Sequence, residues 1–218
     1  MMIWATIVVI ILIILIIIVY QRFHIVTDPS IDYQDMLSKL KTGDVIMMKE
    51  NSFLSTVYMS YYTHAGLVVV LNGRPYIFEA WLNGYNGAPV YKDNRNKDNR
   101  NKDTKDKREI FLFPLEERLV QFNGTSYYME LQQQPTSEGY EKLYKFVQGA
   151  LDEFRYNANI LRFVGLSKFD GGVVCSELVL LGLIELGVAT RESIYFHNLL
   201  NLASLDNFTA PRFIRLSS

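Results

Sequence analysis

The chain has 218 residues, a formal net charge of −1, one cysteine and three histidines. A near-neutral charge provides no bulk electrostatic attraction to nucleic acid, so no nucleic-acid partner is expected. A single cysteine excludes an intrachain disulfide and a zinc site built from several thiolates. The histidines, His24, His64 and His197, lack the i, i+4 spacing of a metal-binding helix. We therefore expect neither a metal nor a cofactor.

The N-terminal segment IWATIVVIILIILIIIVY, residues 3–20, carries no charged side chain. A helix of this length spans roughly 27 Å, close to the hydrocarbon thickness of a bilayer. A cleaved signal peptide would need a basic start and a small-x-small cleavage site, and this segment has neither. We predict a transmembrane anchor at 1–21 that contacts the membrane through 3–20, then a polar linker at 22–35 and one catalytic domain at 36–218.

The orientation of this predicted single-pass membrane protein follows from its basic residues. Arg22 and Lys39 follow the apolar segment, whereas no basic side chain precedes it. The positive-inside rule therefore predicts that the catalytic domain lies on the cytosolic side. Two glycosylation sequons begin at Asn123 and Asn207, and glycan on either asparagine would reverse this orientation.

The other elements are predicted from apolar periodicity and turn residues. In chain order they are a short helix ending at Gly43, a strand at 44–49, a strand on each side of Asn72-Gly73, a strand at 109–115, a helix at 137–154 with Ser137 as its N-cap, a buried helix at 175–186 and a C-terminal edge strand. Strands followed by a late buried helix indicate an α+β fold.

The segment KDNRNKDNRNKDTKDKR, residues 92–108, differs from the rest because it contains no apolar residue. Such a segment cannot bury enough surface to offset the entropy lost on ordering. We predict a flexible charged insertion between strands. A basic arm that binds nucleic acid is the alternative, but the interspersed aspartates argue against it.

The Asn-Gly pair at 72–73 predicts a β-hairpin whose register can be worked out. A two-residue loop there places Gly66 opposite Glu79. Since side chains alternate between faces, His64 lies on the same face as Gly66 and becomes a diagonal neighbour of Glu79. Taken singly, His64 and Glu79 are ordinary polar residues near strand ends. Together they predict an imidazole held by a carboxylate, which is two thirds of a nucleophilic site.

Cys175, the only cysteine, lies where Gly171-Gly172 and two valines are followed by the buried helix. A free cysteine is most often a small buried hydrophobe. At a helix N-terminus, however, unpaired N–H groups and the helix dipole favour a thiolate. We interpret Cys175 as a nucleophile, with His64 as its base and Glu79 orienting the imidazole. Its sulfur should then point outward into a cleft.

The segments GDVIMM, THAGLVVV, YIFEAW and VVCSELV resemble the circularly permuted papain-like thiol hydrolases of the NlpC-type superfamily, closest to the YiiX-like group of bacteria and large DNA viruses. The resemblance runs from about residue 42 to 186. It implies an antiparallel sheet or partial barrel packed on a buried cysteine-bearing helix. The family's histidine, acid and nucleophile fall on His64, Glu79 and Cys175. The membrane anchor and the charged insertion depart from the family pattern.

Together these features predict a membrane-anchored cysteine hydrolase that cleaves an amide or ester bond through a thioester acyl-enzyme. The expected substrate is a peptide, an amide or a lipid acyl group. One alternative is a lipid acyltransferase or phospholipase that uses the same three residues, since the anchor would bring the site close to lipid. Another is a catalytically silent, membrane-bound interaction module.

Overall fold

The computed structural model of the protein describes residues 12, 29–50, 62–81, 110–156, 172–190 and 205–216. The predicted anchor, apart from Leu12, and the predicted charged insertion lie outside these ranges. No helix within the described ranges is both long enough and apolar enough to cross a bilayer.

Nine strands and four helices have their bounds within the described ranges. The strands are β1 (Ser30–Asp32), β2 (Val45–Glu50), β3 (His64–Leu71), β4 (Arg74–Ala80), β5 (Ile110–Pro114), β6 (Gly124–Met129), β7 (Arg155–Tyr156), β8 (Gly172–Val173) and β9 (Arg212–Arg215). The helices are α1 (Tyr33–Lys39), α2 (Leu115–Gln121), α3 (Ser137–Glu153) and α4 (Cys175–Glu185).

Seven of these strands form one sheet in the order β1-β9-β6-β2-β3-β4-β5, and β7 pairs with β8 in a separate ribbon. In the large sheet β1 runs parallel to β9, whereas every other pair is antiparallel. The predicted fold class is therefore wrong. The α+β protein has an open, mixed seven-stranded sheet, not an antiparallel sheet or partial barrel, and its described residues contain no membrane-spanning helix.

The parallel pair explains why the sheet is mixed. β1 directly precedes α1, and it lies beside the last strand of the described chain with Ile31 opposite Ile214. Both isoleucines are buried in the same apolar layer. β9, expected at an edge, is thus an inner strand, because β1 covers its outer side.

The sheet has an apolar layer on each face because side chains alternate along its strands. In β2, Val45 and Met47 belong to the layer beneath α3 and α4. Ile46 and Met48 belong to the opposite layer, together with α1 and α2. Burial on both faces explains why the first four residues of β2, VIMM, are all apolar and do not alternate with polar residues.

The predicted hairpin is confirmed. β3 and β4 are joined through Asn72 and Gly73, whose φ angles are 51° and 76°. Leu71 pairs with Arg74, and the same register continues to Leu67 opposite Phe78. Positive φ at both loop residues is the requirement of a type I′ turn, which asparagine and glycine meet at little steric cost.

Helices α3 and α4 have close to their predicted bounds, whereas α1 ends at Lys39 before the predicted end at Gly43, and α2 was not predicted. Thr136, not Ser137, caps α3, and its Oγ1 accepts a hydrogen bond from the Gly139 N–H. Helix α4 begins at Cys175, as predicted, and is followed by Gly187 with a φ of 80°. Glycine suits this position because the left-handed conformation that ends a helix costs it little.

Candidate active site

His64 and Glu79 are in direct contact. His64 Nε2 lies 2.6 Å from Glu79 Oε2, and both side chains are buried. The contact predicted from the hairpin register is therefore present. Gly66 lies between them in the sheet, and a Cβ there would meet the side chain of Ile77 and approach that of Glu79. The glycine thus leaves the room in which Glu79 reaches back toward the start of β3.

The second oxygen of Glu79 binds a residue that the sequence analysis did not identify. Arg118 of α2 places Nε 2.6 Å from Glu79 Oε1, and its side chain is fully buried. Its guanidinium carbon lies 5.0 Å from the centre of the Trp81 ring. The Trp81 ring in turn meets the His64 imidazole edge to face, with 4.5 Å between ring centres.

A signal for Arg118 was present in the sequence of α2, LEERLVQ. The buried residues of this helix are Leu115, Arg118 and Leu119. They have the i, i+3, i+4 spacing of one helix face. An arginine within an apolar stripe needs a buried acceptor, and such a residue is seldom buried unless it is paired. The stripe could have indicated a buried carboxylate partner but not which one.

Cys175 is the first residue of α4 and follows the extended residue Val174. The first N–H groups of a helix have no intrahelical acceptor, and Cys175 lies among them. The Glu177 carboxylate accepts a hydrogen bond from the Val174 N–H at 3.0 Å. Glu177 is therefore engaged with the N-terminal end of its own helix.

Cys175 is 1% exposed and packs in the apolar layer beneath α3 and α4. The expectation that its sulfur opens into a cleft is therefore wrong. Cys175 nevertheless acts on His64 electrostatically, because its interactions are the largest of those that raise the pKa of the imidazole. Of the three predicted site residues, His64 and Glu79 are in direct contact, whereas the role of Cys175 stays a prediction.

The charges of this cluster are set by burial and by its close partners. Burial lowers the pKa of His64, but the interactions with Cys175, and then those with Glu79, outweigh burial and raise that pKa to about 9. Burial raises the pKa of Glu79, yet its bonds to His64 and Arg118 more than offset burial and hold that pKa below its ordinary value. A protonated His64 and an ionised Glu79 therefore stabilise each other.

We expect the free energy of unfolding to fall as pH rises from about 6.5 to about 9. His64 has a folded-state pKa above its unfolded value, so its contribution is complete below the unfolded pKa and is lost as pH passes the folded pKa. The loss should be on the order of a few kcal/mol, and urea unfolding across this pH range measures it. His64→Gln should remove this alkaline decline; an equal decline in the variant would contradict the assignment.

A second buried carboxylate, Asp44, has a structural role apart from this cluster. Its Oδ1 accepts the Leu131 N–H at 2.9 Å, and its Oδ2 accepts the Lys41 N–H at 2.8 Å and the Tyr128 hydroxyl at 2.9 Å. Burial raises the pKa of Asp44 in spite of these hydrogen bonds. Asp44 thereby ties the start of β2 to the end of β6.

No family model matches the chain, and no curated protein is found to be similar in sequence. Among solved structures, the chain is similar to the crystal structure of metalloprotein yiiX from Escherichia coli O157:H7, with 22% identity over 66% of this chain and a TM-score of 0.44. The match spans 65% of that chain, slightly less than two thirds of its length.

The description as a metalloprotein applies to the E. coli protein. In the part of our chain that the structure describes, no group of three or more histidine, cysteine, aspartate or glutamate side chains is arranged to hold a metal ion.

Proposed function

We propose that the protein is a cysteine hydrolase that cleaves an amide or ester bond. One observation carries the proposal: Glu79 holds the His64 imidazole at 2.6 Å, and Cys175, at the N-terminus of α4, acts on the charge of that imidazole. A nucleophile, a base within reach and a third group that orients the base are the parts of nucleophilic acyl-transfer catalysis.

The proposed reaction has two halves. In the resting site His64 already holds the proton given up by the Cys175 thiol, as its raised pKa favours, and the thiolate sulfur attacks the acyl carbon of the substrate. The tetrahedral intermediate then expels the amine or alcohol, which receives that proton from His64, and a thioester to Cys175 remains. In the second half the now neutral His64 takes a proton from water, and the resulting hydroxide attacks the thioester. The intermediate then breaks the bond to sulfur, which releases the carboxylic acid and leaves the Cys175 thiolate beside the protonated His64.

Glu79 would hold the imidazole in one tautomer and stabilise its positive charge after each proton transfer. The N–H groups of the first turn of α4, starting with that of Cys175, would donate to the developing oxyanion, and the positive end of the helix dipole would favour the thiolate. These roles draw on the buried, water-excluded setting of the cluster, where fixed donors act more strongly than in water.

We also propose that the protein is related to the thiol hydrolases of the NlpC-type superfamily. It is supported by the sequence segments around His64, Glu79 and Cys175 and by the order of these residues in the chain. We propose a peptide, an amide or a lipid acyl group as the substrate.

Burial of Cys175 favours a second candidate, a catalytically silent interaction module. A cysteine that is 1% exposed has the environment of a small core hydrophobe. The two candidates differ in how the thiol should react, because a buried inert thiol is protected in the folded protein, whereas an activated one is more reactive than in the unfolded chain.

The test is the rate at which iodoacetamide alkylates the folded protein at pH 7, compared with the rate in 6 M guanidinium chloride. Because Cys175 is the only cysteine, every alkylated thiol is this one, and Cys175→Ala gives the blank. We expect faster alkylation in the folded state. Slower alkylation than in the unfolded chain would overturn the hydrolase proposal and support the silent module.

A further inference from the structure

Arg118 binds Oε1 of Glu79, whereas His64 contacts the other oxygen, Oε2. We propose that Arg118 is a positioning residue, which fixes the Glu79 carboxylate so that one oxygen remains on His64. The importance of Arg118 for catalysis rests on the proposed function, but its effect on the Glu79 carboxylate can be tested without any substrate.

The two oxygens of Glu79 are divided between two partners. Oε1 accepts from Arg118 Nε at 2.6 Å, and Oε2 contacts His64 Nε2 at 2.6 Å. A carboxylate held at both oxygens cannot rotate about its terminal bond without breaking one of these charge-assisted contacts, which are among the stronger hydrogen bonds in proteins. Arg118 therefore determines the direction from which Glu79 meets the imidazole.

Arg118 is itself held by packing on three sides. Its guanidinium carbon lies 5.0 Å from the Trp81 ring centre and 5.1 Å from that of Phe122. Its neighbours on α2, Leu115 and Leu119, are buried in the layer beneath that helix. Arginine suits such a site because its planar guanidinium stacks on aromatic faces while its N–H groups stay directed in the plane.

Trp81 gives Arg118 a second connection to the base. The same indole that stacks with the guanidinium meets the His64 ring edge to face, 4.5 Å between centres and 83° between planes. The imidazole is therefore oriented by the hydrogen bond that it donates to Glu79 and by contact with Trp81. Arg118 contacts both of these groups.

The charges around Glu79 explain why a permanent cation is useful there. The charged groups that face Glu79 are His64 from β3 and Arg118 from α2, and Cys175 of α4 acts in turn on the charge of His64. His64 changes charge as it accepts and releases a proton, whereas Arg118 remains positive at every accessible pH. Arg118 thus keeps Glu79 ionised during the part of the cycle in which His64 is neutral.

The experiment compares Arg118→Met, which removes the charge and the donors, with Arg118→Lys, which keeps the charge. The readout is the titration of the Glu79 side-chain carboxyl carbon by NMR, with the resonance assigned by its absence from Glu79→Gln. We expect Arg118→Met to move this titration upward by about 1–3 pH units, since a neighbouring cation lowers a carboxyl pKa by that amount. Arg118→Lys should restore most of the difference.

Arg215→Met is the matched control, because Arg215 pairs with Asp32 on the exposed surface and should leave the Glu79 titration unchanged. A merely structural role would lower the melting temperature of Arg118→Met without moving the Glu79 titration, and that result would overturn the proposal. If Arg118→Met does not fold, Arg118→Met/Glu79→Gln should melt at a higher temperature than Glu79→Gln alone. Equal or lower melting would also overturn it.

A different measurement, the alkylation of Cys175, decides whether the proposed function fails. If Cys175 of the unaltered protein alkylates more slowly when folded than when unfolded, the hydrolase proposal fails. The Glu79 titration would still decide whether Arg118 positions the carboxylate.

Discussion

Replacing Glu79 with glutamine should destabilise the protein by about 3–5 kcal/mol, the usual cost of removing one partner from a buried ion pair. Glutamine matches glutamate in shape but leaves the buried Arg118 guanidinium without its carboxylate. It also removes the negative charge beside His64, which is equally buried. Urea unfolding at pH 7, with the slope compared between the two proteins, measures the difference.

Asp32→Asn provides the matched control for this prediction. It also replaces a carboxylate paired with an arginine, but the side chains of Asp32 and Arg215 are 51% and 55% exposed. Exposed pairs of this kind contribute about 0–1 kcal/mol. A Glu79→Gln effect as small as that of Asp32→Asn would mean that the Arg118–Glu79–His64 contacts do not hold in solution.

Replacing His64 with glutamine should slow the acylation of Cys175 by about 10²–10⁴-fold, the usual contribution of a general base. Glutamine retains an N–H donor toward Glu79 but cannot accept the thiol proton, so the contact with the carboxylate is kept while the base is lost. The first-turnover burst of 4-nitrophenol from 4-nitrophenyl acetate measures this step, because it reports formation of the acyl-enzyme before hydrolysis.

Met48→Leu is a suitable comparison for His64→Gln. Met48 lies opposite His64 in the adjacent strand and is fully buried, so the change tests a packing disturbance at the same place. Volume-conserving replacements of this kind usually cost less than about 1.5 kcal/mol. The burst should remain close to that of the unaltered protein. A decrease below about tenfold in His64→Gln would argue that another group takes the thiol proton.

The parts of the fold that could be predicted are those with a local cause. Asn72-Gly73 determined both the turn and its register, and from that register the contact between His64 and Glu79 followed. The start of α4 at Cys175 was visible because a glycine pair and two valines precede a continuous apolar helix. In each case the conformation depends on neighbouring residues in the chain.

The parts that could not be predicted depend on distant residues. Ser30–Asp32 falls in the predicted polar linker and has no strand pattern of its own, yet it forms β1 because β9 offers a free edge. The pairing of Arg118 with Glu79 joins residues 39 positions apart. The burial of Cys175 depends on how the layer beneath α3 and α4 closes over it, which the helix alone does not specify.

The pairing of β1 with β9 has a consequence for synthesis of the chain. Asp32 and Arg215 are joined across 183 positions, so β1 emerges from the ribosome long before its partner exists. At about 5–20 residues per second, the delay is roughly 10–40 s. Until then β6 has an uncovered edge, and β1 cannot join the sheet. Because contacts between distant positions form slowly, the docking of β9 and then β1 should be the late step of folding, and the interval before it is when the nascent protein most needs protection from aggregation.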